Sequence, residues 1–316
     1  MNEKQLIDQF FSDIYVDKTV QLGIGDDAAL IDPDSNQQLT VSTDSMVQGQ
    51  HFLPTSPPYH VGYKLLAVNI SDMAAMGSLP KWVTLNLTLP AIDETWLQSF
   101  AEGFTACAKQ SHVVLIGGDL TRGKELNISA QILGEVPAGA ALLRSAAQVN
   151  DHIFVTGHVG TAGLALTILN KHEGDHRQLS TLQLNALYQP ASRIDVGIEL
   201  RGLANAAIDV SDGLLHDLQL LCEASRVDAH LDIEQIPVDK EMEILDAITA
   251  GDDYELIFTV PEQHVNQITT LAHSHSCPLT HIGKILAGTG QVKLFSSEGE
   301  VPIPVNTGFD HFMSVS

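Results

Sequence analysis

Leu39, Val41 and Thr43 alternate with polar neighbours, and so do Val83, Leu85, Leu87 and Leu89. A period of two predicts a strand in each stretch, because successive strand side chains point to opposite faces. Between them, residues 60–77 (HVGYKLLAVNISDMAAMG) repeat apolar positions at helical spacing, and Gly77 with Pro80 soon after ends that helix. Residues 4–14 suit a short amphipathic helix, and residues 93–110 a longer one with Asp93 as its N-cap. Residues 113–116 form a short buried strand running into Gly117-Gly118-Asp119, and residues 125–136 alternate as another strand.

Residues 137–150 (PAGAALLRSAAQVN) change texture and read as a junction between domains. Beyond it, a strand at 151–156 enters Gly157-His158-Val159-Gly160, with a helix over 161–170. Strands near 207–210, 227–234, 254–260, 279–285 and 291–296 then interleave with helices over 214–225 and 262–273. Such interleaving favours α/β or α+β layering. A length of 316 residues suits two domains, which we bound at 1–145 and 146–316.

Acidic turns punctuate these elements: Gly25-Asp26-Asp27, Ser42-Thr43-Asp44, Ser71-Asp72, Gly117-Gly118-Asp119, Asp209-Val210-Ser211-Asp212-Gly213 and Gly251-Asp252-Asp253. Most sit where a strand or helix hands over to a loop. Carboxylates converging from rigid element ends resist joint ionisation unless cations lie between them. The pattern points to several hard divalent cations, of which Mg²⁺ also recruits substrate phosphates. The bland alternative is solubility, since 39 acidic residues face 16 basic ones for a net charge of −23. That balance argues against nucleic acid or an anionic membrane as partner. Three scattered cysteines, no basic-then-apolar leader and no run long enough to span a bilayer lead us to expect a cytoplasmic protein.

Three apparent motifs fail on context. Gly23-Ile24-Gly25-Asp26-Asp27-Ala28 fits a dinucleotide fingerprint, but Asp32-Pro33 leaves no room for the required helix. Residues 118–124 (GDLTRGK) approach a P-loop, yet Glu125 replaces its Ser or Thr and a strand pattern follows the lysine. His273, His275 and Cys277 alternate like zinc ligands but lack a fourth partner, so a solvated helix end or loop is the better reading.

Eight segments, in this order and spacing, carry a resemblance: LGIGDDAAL (22–30), STDSMVQGQHF (42–52), AVNISDMAAMG (67–77), IGGDLTRG (116–123), LLRSAA (142–147), AIDVSDGLLHDL (207–218), GDDYELIF (251–258) and GFDHF (308–312). Together they resemble the thiamine-monophosphate kinases, which phosphorylate thiamine phosphate with ATP. The resemblance implies an α/β chain whose N-terminal domain is α+β, in a two-domain fold similar to that of aminoimidazole ribonucleotide synthetase. It implies a homodimer in which the N-terminal sheets of two copies form a shared barrel.

It also implies roles. Asp27, Ser42, Thr43, Asp44, Asp72, Asp119, Asp209 and Asp212 would hold Mg²⁺; Gly118, Asp119, Arg144 and Ser211 would bind ATP. His51, Asp252 and Phe309 would bind thiamine phosphate, Phe309 by stacking and Asp252 by complementing either the thiazolium charge or the amino group. Arg122 is a weaker phosphate candidate, and Asp26 reads as a turn residue. The family often has Glu at the position of Asp252, Trp or Tyr at that of Phe309, and Gly at that of Asn150. No general base or covalent nucleophile is implied, because the attacking group is a phosphate oxygen. The alternatives are another ATP-using enzyme of the superfamily, or a non-catalytic cation-binding protein, which would show the dense D-x-D-x-D-G loops absent here.

Overall fold

The computed structural model describes residues 3–11, 18–24 and 28–309. The Gly25-Asp26-Asp27 turn, and with it the expected ligand Asp27, lies outside these residues, as does the end of the GFDHF segment. Among the described residues, α1 (Glu3–Phe10) and the ribbon β1 (Val20–Leu22)–β2 (Leu30–Ile31) precede a larger unit. That unit is β3 (Gln37–Val47), α2 (Pro58–Ala75), β4 (Leu79–Leu89), α3 (Glu94–Gln110), β5 (Val114–Arg122) and β6 (Asn127–Pro137). Its four strands lie in the order β3-β6-β4-β5, with only β4 and β5 parallel.

Alternation along these strands sends Met46, Leu85, Leu87, Ile128 and Ile132 into one core with α2 and α3. On the opposite face the β1–β2 ribbon covers Trp82, Val114 and Ile116 with Val20 and Ile31, while Leu39 and Val41 stand uncovered, 47% and 57% exposed. α3 starts where expected, the Asp93 carboxylate accepting from the Thr95 and Trp96 N–H groups. Gly62 of α2 and Gly103 of α3 let the two helices touch backbone to backbone: a Cβ on either would fall within 2.1 Å of a carbonyl oxygen across the contact.

The second unit runs β7 (His152–Thr156), α4 (Thr161–Lys171), α5 (Thr181–Tyr188), α6 (Ile194–Leu200), β8 (Ala206–Asp209), α7 (Leu214–Ser225), β9 (Val227–Asp232), α8 (Ile244–Thr249), β10 (Leu256–Val260), α9 (Val265–His275), β11 (Leu279–Ala287), β12 (Val292–Ser296) and β13 (Gly299–Val301). Its seven strands take the order β13-β12-β9-β11-β7-β10-β8. The helices α5, α6 and α8 have no counterpart in the sequence reading, being only 6 to 8 residues long. His273 and His275 fall in the last turn of α9, as the non-zinc reading expects.

α2 is the shared wall. It packs on β3 and α3 on one side and on α6 and β8 on the other, so it is buried nearly all round, as a helix between two units must be. Among the described residues, no helix is long and apolar enough to cross a membrane.

The Gly117-Gly118-Asp119 segment departs from expectation. It is not a turn after a short strand, because β5 continues through it to Arg122 with one register shift beside it. Gly118 has φ +156° and lies against the Leu85 backbone, where a Cβ would sit 1.8 Å from the carbonyl oxygen. A glycine is needed there to keep the strand running, not to end it.

Candidate active site

A cleft of about 730 Å³ opens between the two units. From the first, Thr43, Asp44, His51 and Asp72 line it; from the second, Asp209, Ser211, Asp212, Asp252 and Phe309. Phe52, Leu53, Leu166, Leu187 and Tyr188 make an apolar wall.

The acidic side is built from three elements. On β3, alternation turns Ser42 and Asp44 toward α2 and Thr43 the other way. Asp72 of α2 accepts a 2.6 Å hydrogen bond from the Ser42 hydroxyl, and one residue earlier Ser71 donates to Asp209 at the end of β8 at 2.7 Å. The two hydroxyls each occupy one oxygen, Oδ2, of their carboxylates. Burial, and then the charges of Asp72, Asp209 and Asp212, push Asp44 up to about 7. Burial also raises Asp72, against the pull of Ser42 and the Arg144 guanidinium, and raises Asp209 together with the Asp72 charge. Arg144, in the connection between β6 and β7, thus acts electrostatically on both carboxylates although it does not line the cleft.

The 209–213 turn is pinned by a residue that was not singled out in the sequence. Asp217, in the first turn of α7, accepts the N–H groups of Ser211, Asp212 and Gly213 through Oδ2 at 2.9, 3.0 and 3.2 Å. Its carboxylate, pushed up to about 7 by burial, sits at a helix N-terminus, where an acid five residues after Asp212 is the signal to look for. His216, Asp212 and Asp217 lie close enough to share an ion, but three hydrogen bonds already explain Asp217.

Backbone bonds stitch the remaining segments to this turn. The Asp252 N–H donates to the Ser211 carbonyl, the Tyr254 N–H to Val210 and the Phe309 N–H to Asp212, at 2.8, 2.8 and 2.9 Å. Asp252 and Tyr254 both have left-handed φ, 72° and 52°, so neighbours along this loop diverge. Asp252 faces the cleft, while Asp253 turns inward and accepts the Gly160 N–H at the start of α4 with both oxygens. The Asp252 carboxylate is engaged on both oxygens, by Lys64 Nζ at 2.7 Å and the Tyr254 hydroxyl at 2.9 Å. On the far side, His51 Nδ1 accepts the Val47 N–H, which assigns the neutral ring its proton on Nε2.

Gly118 and Asp119 are not brought to this cleft within one chain. Asp44 shares its row with Ala130, Leu85 and Gly118, three strand spacings or about 14 Å away. Asp119 shares the next row with Asn86, Ser129 and Ser45, so its side chain is on the face of Leu39 and Val41, opposite to that of Asp44.

Residues 25–136 match the family described as AIR synthase related protein, N-terminal domain, and residues 148–294 match the corresponding C-terminal domain. A thiamine-monophosphate kinase of Haemophilus influenzae is 39% identical over 325 aligned positions, which cover 99% of this chain and 98% of that one. This chain belongs to the thiamine-monophosphate kinase family. A crystal structure of thiamine-monophosphate kinase from Stenotrophomonas maltophilia is 40% identical and superposes with a TM-score of 0.82 over 90% of this chain and 93% of its own. Another solved structure, AaThiL complexed with AMPPCP and TMP, is 27% identical with a TM-score of 0.77, covering 94% and 93% of the two chains. Both units therefore share the two-domain α/β fold of the AIR synthase-related proteins.

Proposed function

We propose that this chain transfers the γ-phosphoryl group of ATP to thiamine phosphate, giving thiamine diphosphate and ADP in the cytoplasm as the last step of thiamine diphosphate formation. The observation that carries the reading is a single cleft with two unlike ends, a carboxylate cluster at Asp44, Asp72 and Asp209 and an apolar wall with Phe309 and Asp252. One end suits phosphates balanced by cations, and the other suits a flat aromatic substrate.

The donor set fits Mg²⁺. It is all oxygen, from Asp44, Asp72, Asp209, Asp212 and the Ser42 and Thr43 groups, and burial first, then the neighbouring carboxylates, raise Asp44 to about 7, which favours a cation among them. When bound, Mg²⁺ supplies neutralisation of the phosphates that must approach each other. We assign Asp27 to the same set.

The chain's own groups do the rest. Arg144 is the planar clamp for the nucleotide phosphates, and Ser211 donates to them. His51 donates from Nε2 to the phosphate of the acceptor, and Phe309 stacks on its ring. An oxygen of the thiamine phosphate attacks the γ-phosphorus in line; the bond to the β-γ bridging oxygen breaks, and ADP leaves with its electron pair. That oxygen is largely deprotonated near neutral pH, so no side chain has to accept a proton.

We also propose the homodimer, with a barrel closed by the β3 edge of one copy against the β5 edge of the other. The uncovered part of the face at Leu39 and Val41, and the unpaired outer edges of β3 and β5 among the described residues, support it. This closure would set Asp119, on the β5 edge, at the seam on the Thr43 face of the sheet, which is where a ligand role for it would lie. Incubation with ATP, Mg²⁺ and thiamine phosphate tests the function: equal amounts of thiamine diphosphate and ADP are expected. ATP turnover only with a different acceptor overturns it.

A further inference from the structure

Lys64 is 2% exposed in the middle of α2, a position that helical packing would ordinarily give to an apolar residue. Its ammonium reaches out of the first unit, lies 6.0 Å from the Tyr254 ring centroid, and donates to Asp252 Oδ2 at 2.7 Å in the second. Lys64, Val68 and Asp72 recur at helical spacing, and Val68 and Asp72 line the cleft with Asp252. One helix stripe therefore borders both the acidic end and the Asp252 end.

With Lys64 buried and Asp252 32% exposed to the cleft, the pair gains little stability over an apolar contact, because desolvation of the ammonium offsets the attraction. What it does provide is geometry and charge. Lys64 and Tyr254 take one lone-pair direction on each oxygen of Asp252 and leave one on each. The charge of Asp252 is balanced by an ammonium 2.7 Å away, while its capacity to accept a hydrogen bond survives. A subsite of that kind rewards a neutral N–H donor and gives little to a cation.

We infer that Lys64 is a positioning residue for the acceptor substrate, fixing and neutralising Asp252 so that it reads the amino group of the aminopyrimidine, not the thiazolium charge. The inference rests on the acceptor being thiamine phosphate. Asp252 touches the substrate; Lys64 acts through it.

The test compares wild type, Lys64→Met, Tyr254→Phe and the double variant Lys64→Met/Asp252→Asn in steady-state assays that vary thiamine phosphate and ATP separately. Lys64→Met is expected to raise KM for thiamine phosphate about tenfold or more while KM for ATP stays within about twofold. The double variant, with both partners neutral, is expected to recover part of that loss. A thiamine phosphate analogue bearing a carbonyl in place of the amino group, its thiazolium intact, should be discriminated against by wild type about tenfold or more, and far less by Lys64→Met. A folded Lys64→Met with unchanged acceptor KM, a parallel rise in both KM values, or wild type that accepts the analogue equally overturns the inference. If Lys64→Met fails to fold, Tyr254→Phe decides: a rise in acceptor KM of about threefold or more, with KM for ATP unchanged, supports it, and no rise overturns it. Wild type that does not phosphorylate thiamine phosphate at all refutes the functional reading itself, which separates the two failures.

Discussion

Asn in place of Asp44 should make the metal-free protein more stable and the enzyme inactive. Burial and three neighbouring carboxylates raise Asp44 from 3.8 to about 7. A rise of about 3 units corresponds to about 4 kcal/mol against the folded state once the group is ionised, and water in the cleft brings this nearer 2 kcal/mol. The sign follows from proton uptake. Between its unfolded and folded pKa the native carboxyl binds more protons than the unfolded one, so its contribution is full below about pH 4 and is lost as pH rises through about 7. Melting by scanning fluorimetry in EDTA at pH 8 should therefore rise by about 4 °C in Asp44→Asn, and the gap should close as pH falls toward 4. Mg²⁺ at about 100 times its dissociation constant should stabilise wild type by about 2.7 kcal/mol and the variant much less. A variant that melts below wild type in EDTA at pH 8, or that keeps the full Mg²⁺ response with normal turnover, refutes the reasoning.

On the proposed role of Arg144 as the clamp for the nucleotide phosphates, Arg144→Ala should raise KM for ATP about tenfold or more and barely alter KM for the acceptor; paired initial-rate measurements check this. Asp253→Ala removes the acceptor of the Gly160 N–H and should lower stability by about 1–3 kcal/mol in urea unfolding at about pH 4, where the burial that raises this carboxyl no longer opposes the folded state. Val41→Asp places a charge on the uncovered part of the sheet face and should convert a dimer to monomers in light scattering, with loss of turnover.

The elements of the first unit were legible because its strands are half-buried and its helices long. The stripe that carries Asp72 was visible at helical spacing, and its Ser42 partner follows from alternation on β3. Strand order was not visible. Local pattern fixes which face each residue takes within its own strand, but the separation of Asp119 from Asp44 depends on β6 and β4 lying between them. The Gly-Gly pair read as a turn because only the packed structure reveals the Leu85 carbonyl pressed against Gly118. Asp252 and Asp253 are adjacent carboxylates of one turn, and in the sequence only the family resemblance set Asp252 apart. Left-handed backbone on either side of Asp253 separates them, sending one to the cleft and the other to cap α4. Lys64 was invisible as a functional residue because its partner is 188 positions away in the other unit.

The most direct test is a single turnover with ATP radiolabelled in the γ-phosphate, Mg²⁺ and thiamine phosphate, quenched over time. The label should pass from ATP into thiamine diphosphate at the rate ADP appears, with none bound to protein at any time. Label accumulating on the protein, or released as inorganic phosphate while thiamine phosphate remains unchanged, contradicts the account.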